Sequence, residues 1–236
     1  MEIINLGNKL VNAWAFELGD GYCLVDTGYS WQYKAFKEKL AENKIGLDAI
    51  KYVVITHMHA DHVGFLKALL SETKPLLIYD AGDKIRLEAG KNNLNTYVSR
   101  FEYLIASYIT MASFEKTQCF PAVFYDNYAD AKTQPLSAYG VEFIFLKGHS
   151  ERDLCIKIED KLFCGDVCMN GIGSSKCAPM WIYDKYALLD SWKQILKSGV
   201  QTLYPGHGKP IDVAELNKAL VFWRTRGVFR LFKNKR

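Results

Sequence analysis

The stretch Tyr52–Gly64, reading YVVITHMHADHVG, limits what this chain can fold into more than any other. An apolar run ends at Thr56, and His57, His59, Asp61 and His62 follow at once. Such a run predicts a buried strand whose end is where polar side chains begin. Two residues apart in extended chain, His57 and His59 project on one side. Asp61 and His62 come as the chain turns into a helix, so they aim at a second point close by. Imidazoles and a carboxylate at this density are ligands for divalent metal ions.

The remaining two of the five histidines stand in Gly148-His149-Ser150 and Gly206-His207-Gly208, which leaves none for the general surface. Both follow short apolar runs, Phe145-Leu146 and Leu203-Tyr204, and Asp166 follows Phe163-Cys164-Gly165 in the same way. A structural zinc site needs four ligands, and these strand ends supply seven. That number suits two ions about 3.5–4 Å apart, each with an open or shared solvent position.

Between these motifs the chain reads as alternating elements. Residues 3–6, 12–18 and 22–26 predict a β-meander with turns at Gly7-Asn8 and Gly19-Asp20-Gly21. A helix is expected over 30–44, capped by Ser30, with Trp31, Ala35, Phe36 and Leu40 on one face. Another is expected from about Asp61 to Leu70, then a strand at 76–79. Residues 81–135 break the rhythm: Ile85 to Phe114 is largely helical in composition but rich in Tyr and Phe, including Tyr97, Phe101, Tyr103, Tyr108 and Phe114. Strands resume at 141–146, 154–158 and 162–165, followed by a helix at 184–198, a strand at 202–204 and a last helix at 212–225. Two runs of strands with interspersed helices imply a mixed α/β domain of two packed sheets covered by helices.

At 236 residues the chain suits one domain with an insert, and an apolar fraction of 49% suffices for a core. The start Met1-Glu2-Ile3-Ile4 lacks the pattern of a secretory signal and no run is long enough to span a bilayer, so a cytoplasmic protein is expected. The six cysteines are scattered without a CxxC pair and are expected as reduced thiols; Cys164 and Cys168 flank Asp166, with a core role expected. The net charge of +4 hides an asymmetry, since Lys218–Arg236 holds basic residues and no acid. These cations alternate with Phe222, Trp223, Phe229, Leu231 and Phe232, which predicts a packed helix with a solvated basic face. No nucleic-acid partner is expected, and membrane contact by the basic tail is the alternative.

THMHADH, followed in order by Gly-His, Gly-Asp and Gly-His, resembles the metallo-β-lactamase superfamily, and Val25-Asp26-Thr27-Gly28 matches that family's early strand-end motif. The resemblance implies an αββα sandwich, a single domain over 1–236 with 81–135 as a helical insert or lid, and a site at the open edge between the sheets. It implies that His57, His59 and His149 hold one zinc, that Asp61, His62 and His207 hold the second, and that Asp166 bridges them. Iron or manganese are the alternative metals. Asp26 would orient a ligand imidazole. Two dications acidify a shared water, so the implied chemistry is attack by hydroxide on an electrophilic centre, with Asp61 holding the nucleophile or relaying a proton.

Within the family the ligand set is similar to glyoxalase II and to acyl-homoserine lactonases. Only 29 residues follow His207, so the helical domain that holds glutathione in glyoxalase II is not expected. The lactonase tyrosine three residues after the bridging aspartate is replaced by Met169. Met169, Met180, Trp181 and Tyr204 are candidates for lining an apolar substrate pocket. The expected activity is hydrolysis of an ester, thioester or lactone of a small molecule. A phosphodiesterase on the same metals is the first alternative, weakly favoured by Arg152, Lys209 and the tail. An iron-bound oxidoreductase or a non-catalytic metal-binding module is the second.

Overall fold

The computed structural model describes residues 1–92, 97–99 and 119–230. Among these, 1–92 with 119–143 form one compact unit, and 97–99 with 144–230 form a second.

The first unit opens with the expected meander, β1 (Ile3–Asn5), β2 (Trp14–Leu18) and β3 (Gly21–Val25), paired antiparallel. Helix α1 (Tyr33–Glu42) then carries the chain to β4 (Ile50–Val54), which lies parallel to β3 with Val25 opposite Val54. Helices α2 (Ala60–Val63) and α3 (Leu66–Glu72) lead to β5 (Leu76–Tyr79), parallel to β4, and helix α4 (Lys84–Ala89) follows. After β6 (Tyr97–Val98), which belongs to the second unit, β7 (Tyr128–Asp130) completes a six-stranded sheet in the order β1-β2-β3-β4-β5-β7. Helix side chains pack on it: the rings of Phe36 and Phe65 lie 4.8 Å apart, and Leu40, Leu66 and Leu69 are buried with them.

Three details differ from the sequence reading. Residues 30–32 form a 3₁₀ turn ahead of α1, and Ser30 is not its cap. At three residues per turn that segment rotates Trp31 off the face shared by Phe36 and Leu40, and Trp31 is 67% exposed. The helix expected over 61–70 is two helices. They part at Gly64, where an added Cβ would sit 2.6 Å from Ala60 O, Gly28 O and Ser30 N, so the backbone of the preceding loop occupies the space of a side chain. In the stretch 81–135, α4, β6 and β7 are described, and β7 is the edge strand of the first sheet. Phe101, Tyr103, Tyr108 and Phe114 lie outside the described residues.

The second unit begins within β8 (Val141–Leu146), at Ile144, and with β9 (Asp153–Ile158), β10 (Lys161–Gly165), β12 (Thr202–Pro205) and β13 (Ile211–Asp212) this strand forms a five-stranded sheet in the order β13-β12-β10-β9-β8. β10 is parallel to β12, with Gly165 opposite Pro205, and antiparallel to β9. β11 (Trp181–Ile182) pairs with β6, which also pairs with β14 (Phe229–Arg230). Helices α5 (Lys185–Lys197) and α6 (Val213–Arg224) bury Trp192, Leu216 and Trp223 in a core with Cys155, Cys164 and Leu203. The Trp192 indole, fully buried, donates from Nε1 to Val167 O at 2.7 Å. Among the described residues no helix is long and apolar enough to cross a membrane.

Candidate metal centre

In the first unit the donors stand where two parallel strands end side by side. The register of β3 and β4 brings Asp26 next to Thr56, and the Asp26 amide donates to Val54 O at 2.8 Å. Asp26 is buried, with φ at 60°, a left-handed conformation that aspartate adopts more readily than most residues. Its Oδ1 accepts from the Thr56 amide (2.8 Å), and its Oδ2 accepts from the Thr56 hydroxyl (2.7 Å) and from His62 Nδ1 (2.8 Å). A carboxylate only accepts, so the Thr56 hydroxyl spends its proton there and takes one from His57 Nδ1, 3.0 Å away. These tautomers, assigned from the network, leave the Nε2 lone pairs of His57 and His62 for a ligand role.

His57, His59 and His62 are all buried. His57 Nε2 lies 2.9 Å from His59 Nδ1, and His62 Nε2 lies 3.8 Å from Asp61 Oδ1. Two nitrogens on one tetrahedral zinc, each about 2.0–2.1 Å from it, would be about 3.3 Å apart. The donor spacings bracket that value. His59 also stands at the N-cap position of the short helix α2, where its carbonyl accepts from the His62 amide, and Thr27 ties this helix down through its amide and hydroxyl, both donating to His62 O at 2.8 Å.

The second unit has its own convergence. His149 Nε2 and His207 Nε2 lie 3.6 and 3.3 Å from the same oxygen, Asp166 Oδ2. The parallel register of β10 and β12 explains the second pair, since Asp166 and His207 follow their ends and the Gly206 amide donates to Gly165 O. His149 is fixed from behind: its Nδ1 donates to Trp181 O at 3.0 Å, which again directs Nε2 toward the ligand position. Its backbone is held by Asp153, whose carboxylate accepts from the His149 amide, the Ser150 amide and the Ser150 hydroxyl. Burial pushes the Asp153 carboxyl above its ordinary value, opposed by His149 and the Ser150 hydrogen bonds.

Asp153, Asn170 and the Trp181 carbonyl are the contributors that the sequence reading did not single out. Asn170 braces the His207 loop: its amide donates to His207 O (3.3 Å), and its Oδ1 accepts from the Lys209 amide (2.8 Å). Gly208 between them has φ +94°, and a Cβ there would sit 2.1 Å from Asn170 Oδ1. None of these residues carries a spacing signature, because each acts through a bond to backbone. Of the residues proposed for a substrate pocket, Met169 is buried, while Met180, Trp181 and Tyr204 are half-buried, Tyr204 resting on Phe163 with ring centroids 5.1 Å apart.

A family model described as the metallo-beta-lactamase superfamily matches residues 6–207, across both units. The chain belongs to this superfamily. Among metallo-β-lactamase superfamily proteins it is similar to the metallo-beta-lactamase fold-containing protein ST1585 of Sulfurisphaera tokodaii, 28% identical over 69% of this chain and 62% of that protein. A beta-lactamase-like protein 2 homolog of Caenorhabditis elegans is 26% identical over 85% of this chain and 57% of its own length. The matches thus span less than two thirds of either relative. The crystal structure of BJP-1, a subclass B3 metallo-beta-lactamase of Bradyrhizobium japonicum, has a TM-score of 0.63 at 19% identity, covering 94% of this chain and 88% of that one. That likeness shows the fold, a mixed α/β architecture, and the histidines and aspartates above are candidate metal ligands.

Proposed function

We propose that this chain is a dinuclear, zinc-dependent hydrolase of an ester, thioester or lactone carbonyl, on the glyoxalase II-like or lactonase-like side of the superfamily. His57, His59 and His149 would hold one ion, Asp61, His62 and His207 the other, with Asp166 shared between them. Bound divalent cations supply an acidified water and a Lewis acid for the carbonyl oxygen. The observation that supports this most is the common anchoring of the imidazoles. His57, His62 and His149 each give Nδ1–H to a protein oxygen, from Thr56, Asp26 and Trp181, so that Nε2 is the nitrogen offered.

The chain's own residues then divide the work. Asp26 and Trp181 O orient rings, Asp153 and Asn170 hold the loops that carry His149 and His207, and Asp61 holds or moves a proton at its carboxylate. Met180, Trp181 and Tyr204, with Met169 behind them, would face an apolar acyl group of a small-molecule substrate. The natural setting in this reading is the cytoplasm, and no nucleic acid takes part.

The test is metal analysis of the purified protein together with a turnover panel of acyl esters, thioesters, lactones, β-lactams and bis(4-nitrophenyl) phosphate. Two zinc equivalents with preference for acyl substrates are expected, and Asp61→Ala should abolish turnover. Preference for the phosphodiester would replace the acyl reading. Substoichiometric metal without turnover on any substrate would make the chain a binding module, and bound iron with redox activity would make it an oxidoreductase.

A further inference from the structure

The second unit gathers exposed rings and cations around one recess. Tyr97, Asp184, Lys185, Tyr186, Gly227 and Val228 line an opening of about 360 Å³, so the start of α5 and the segment after α6 are neighbours. Lys185 Nζ donates to Arg226 O and stands 5.5 Å from the centre of the Tyr186 ring. The Arg226 guanidinium, itself exposed, lies 4.9 Å from the centre of the Phe222 ring. Tyr97 is opposite Arg230 in the pairing of β6 with β14, which brings Phe229 and Arg230 to the same neighbourhood. Tyr186 is 76% exposed, and Tyr183, Phe229 and Arg230 are exposed with it. The one acid among the lining residues is engaged: Asp184 Oδ1 caps α5, accepting from the Tyr186 and Ala187 amides at 2.8 and 3.0 Å. At a helix N-terminus its charge is offset by the helix dipole.

We propose that this surface docks the protein on a bilayer that contains anionic lipid. Lys185, Arg226 and Arg230 meet the headgroup phosphates, and Tyr183, Tyr186 and Phe229 settle at the boundary between headgroups and acyl chains. The charge favours this partner, since Lys218–Arg236 carries seven cations and no acid. Cations alone would suit any polyanion. The outward rings narrow the choice, because an anionic bilayer surface takes amphipathic phenols and cations side by side. The contact is peripheral and falls with ionic strength, as attraction between exposed charges is screened by salt. It stands apart from the metal reading, since none of these side chains is a proposed ligand.

The test is co-sedimentation of the full, untagged chain with vesicles of phosphatidylcholine alone and of equal parts phosphatidylcholine and phosphatidylserine. Binding to the mixed vesicles that weakens at raised salt is expected, with none to the neutral ones. Each cation at such a surface is worth about fivefold, so Arg226→Gln/Arg230→Gln should weaken binding about 30-fold. Tyr186→Ala should lower the part of the affinity that salt leaves. Lys34→Gln/Lys67→Gln, which removes two exposed cations of the first unit, should bind as the parent does. An equal loss in that control would reveal diffuse charge attraction and overturn the surface. So would equal binding to both vesicle types, binding to neither, or displacement from mixed vesicles by a single-stranded oligonucleotide that the parent binds more tightly. A dimer in sedimentation equilibrium that Tyr186→Ala dissociates would assign the surface to a second copy instead. Hydrogen exchange of the parent decides the location if the surface variants fail to fold. Amides of 183–186 and 226–230 should slow on mixed vesicles, and unchanged exchange there would defeat the proposal.

Discussion

Asp26 accepts three hydrogen bonds, from the Thr56 amide, the Thr56 hydroxyl and His62 Nδ1, and two of them bear on the proposed ligand imidazoles. Removing the carboxylate leaves His62 without the partner that fixes its tautomer and loosens the Thr56 hydroxyl that does the same for His57. Asp26→Ala should weaken metal affinity by about 10–100-fold, as losses of such partners do, read by competition with a chromogenic chelator. Unchanged affinity would mean that packing alone holds the rings. Asn170 permits a sharper comparison. Asn170→Ala removes the acceptor for the Lys209 amide, while Asn170→Asp keeps it. The alanine variant should lose affinity for one metal equivalent and spare the other, and the aspartate variant should restore it. Equal loss of both equivalents, measured by titration calorimetry, would argue for general unfolding of the loop instead.

The strands that end at the donors were legible at the level of elements. β4, β10 and β12 are compact apolar runs broken by a polar residue or a glycine, and each was expected within a few residues of its observed limits. What escaped has a physical reason. Two-residue strands such as β6, β11 and β14 are too short to show a period, and β7, also short, lies in a stretch expected as a helical insert. Trp31 was placed on a buried face because helical spacing was extended through a 3₁₀ turn. The donors themselves were legible because histidine is rare here and confined to three motifs, while Asp153 and Asn170 are ordinary polar residues until the fold shows which amides they meet. Gly64 is where the break between α2 and α3 can be tested. Gly64→Ala places a Cβ against backbone atoms that cannot swing aside, and a loss of about 1–3 kcal/mol in urea unfolding is expected. A variant as stable as the parent would show that the loop at Gly28–Ser30 yields.

At the scale of the whole molecule, the proposed function links stability to metal loading, because ligands that bind only the native state raise its free energy of unfolding. Zinc at about 100 times its dissociation constant should add about 2.7 kcal/mol per site, seen as a rise in the unfolding midpoint that chelation reverses. No rise would remove the metals from the proposed function. Trp192, buried and bonded to Val167 O, is the anchor of the second unit, and Trp192→Ala should cost about 3–5 kcal/mol. A smaller loss by denaturant titration would show that α5 closes over the gap. The small sheet β11-β6-β14 ties together segments at residues 97–98, 181–182 and 229–230, and its first strand supplies the carbonyl that steadies His149. A perturbation near the C-terminal strand thus has a mechanical route of two backbone pairings to one proposed metal-binding imidazole, so a tag or truncation there would not be an innocent change.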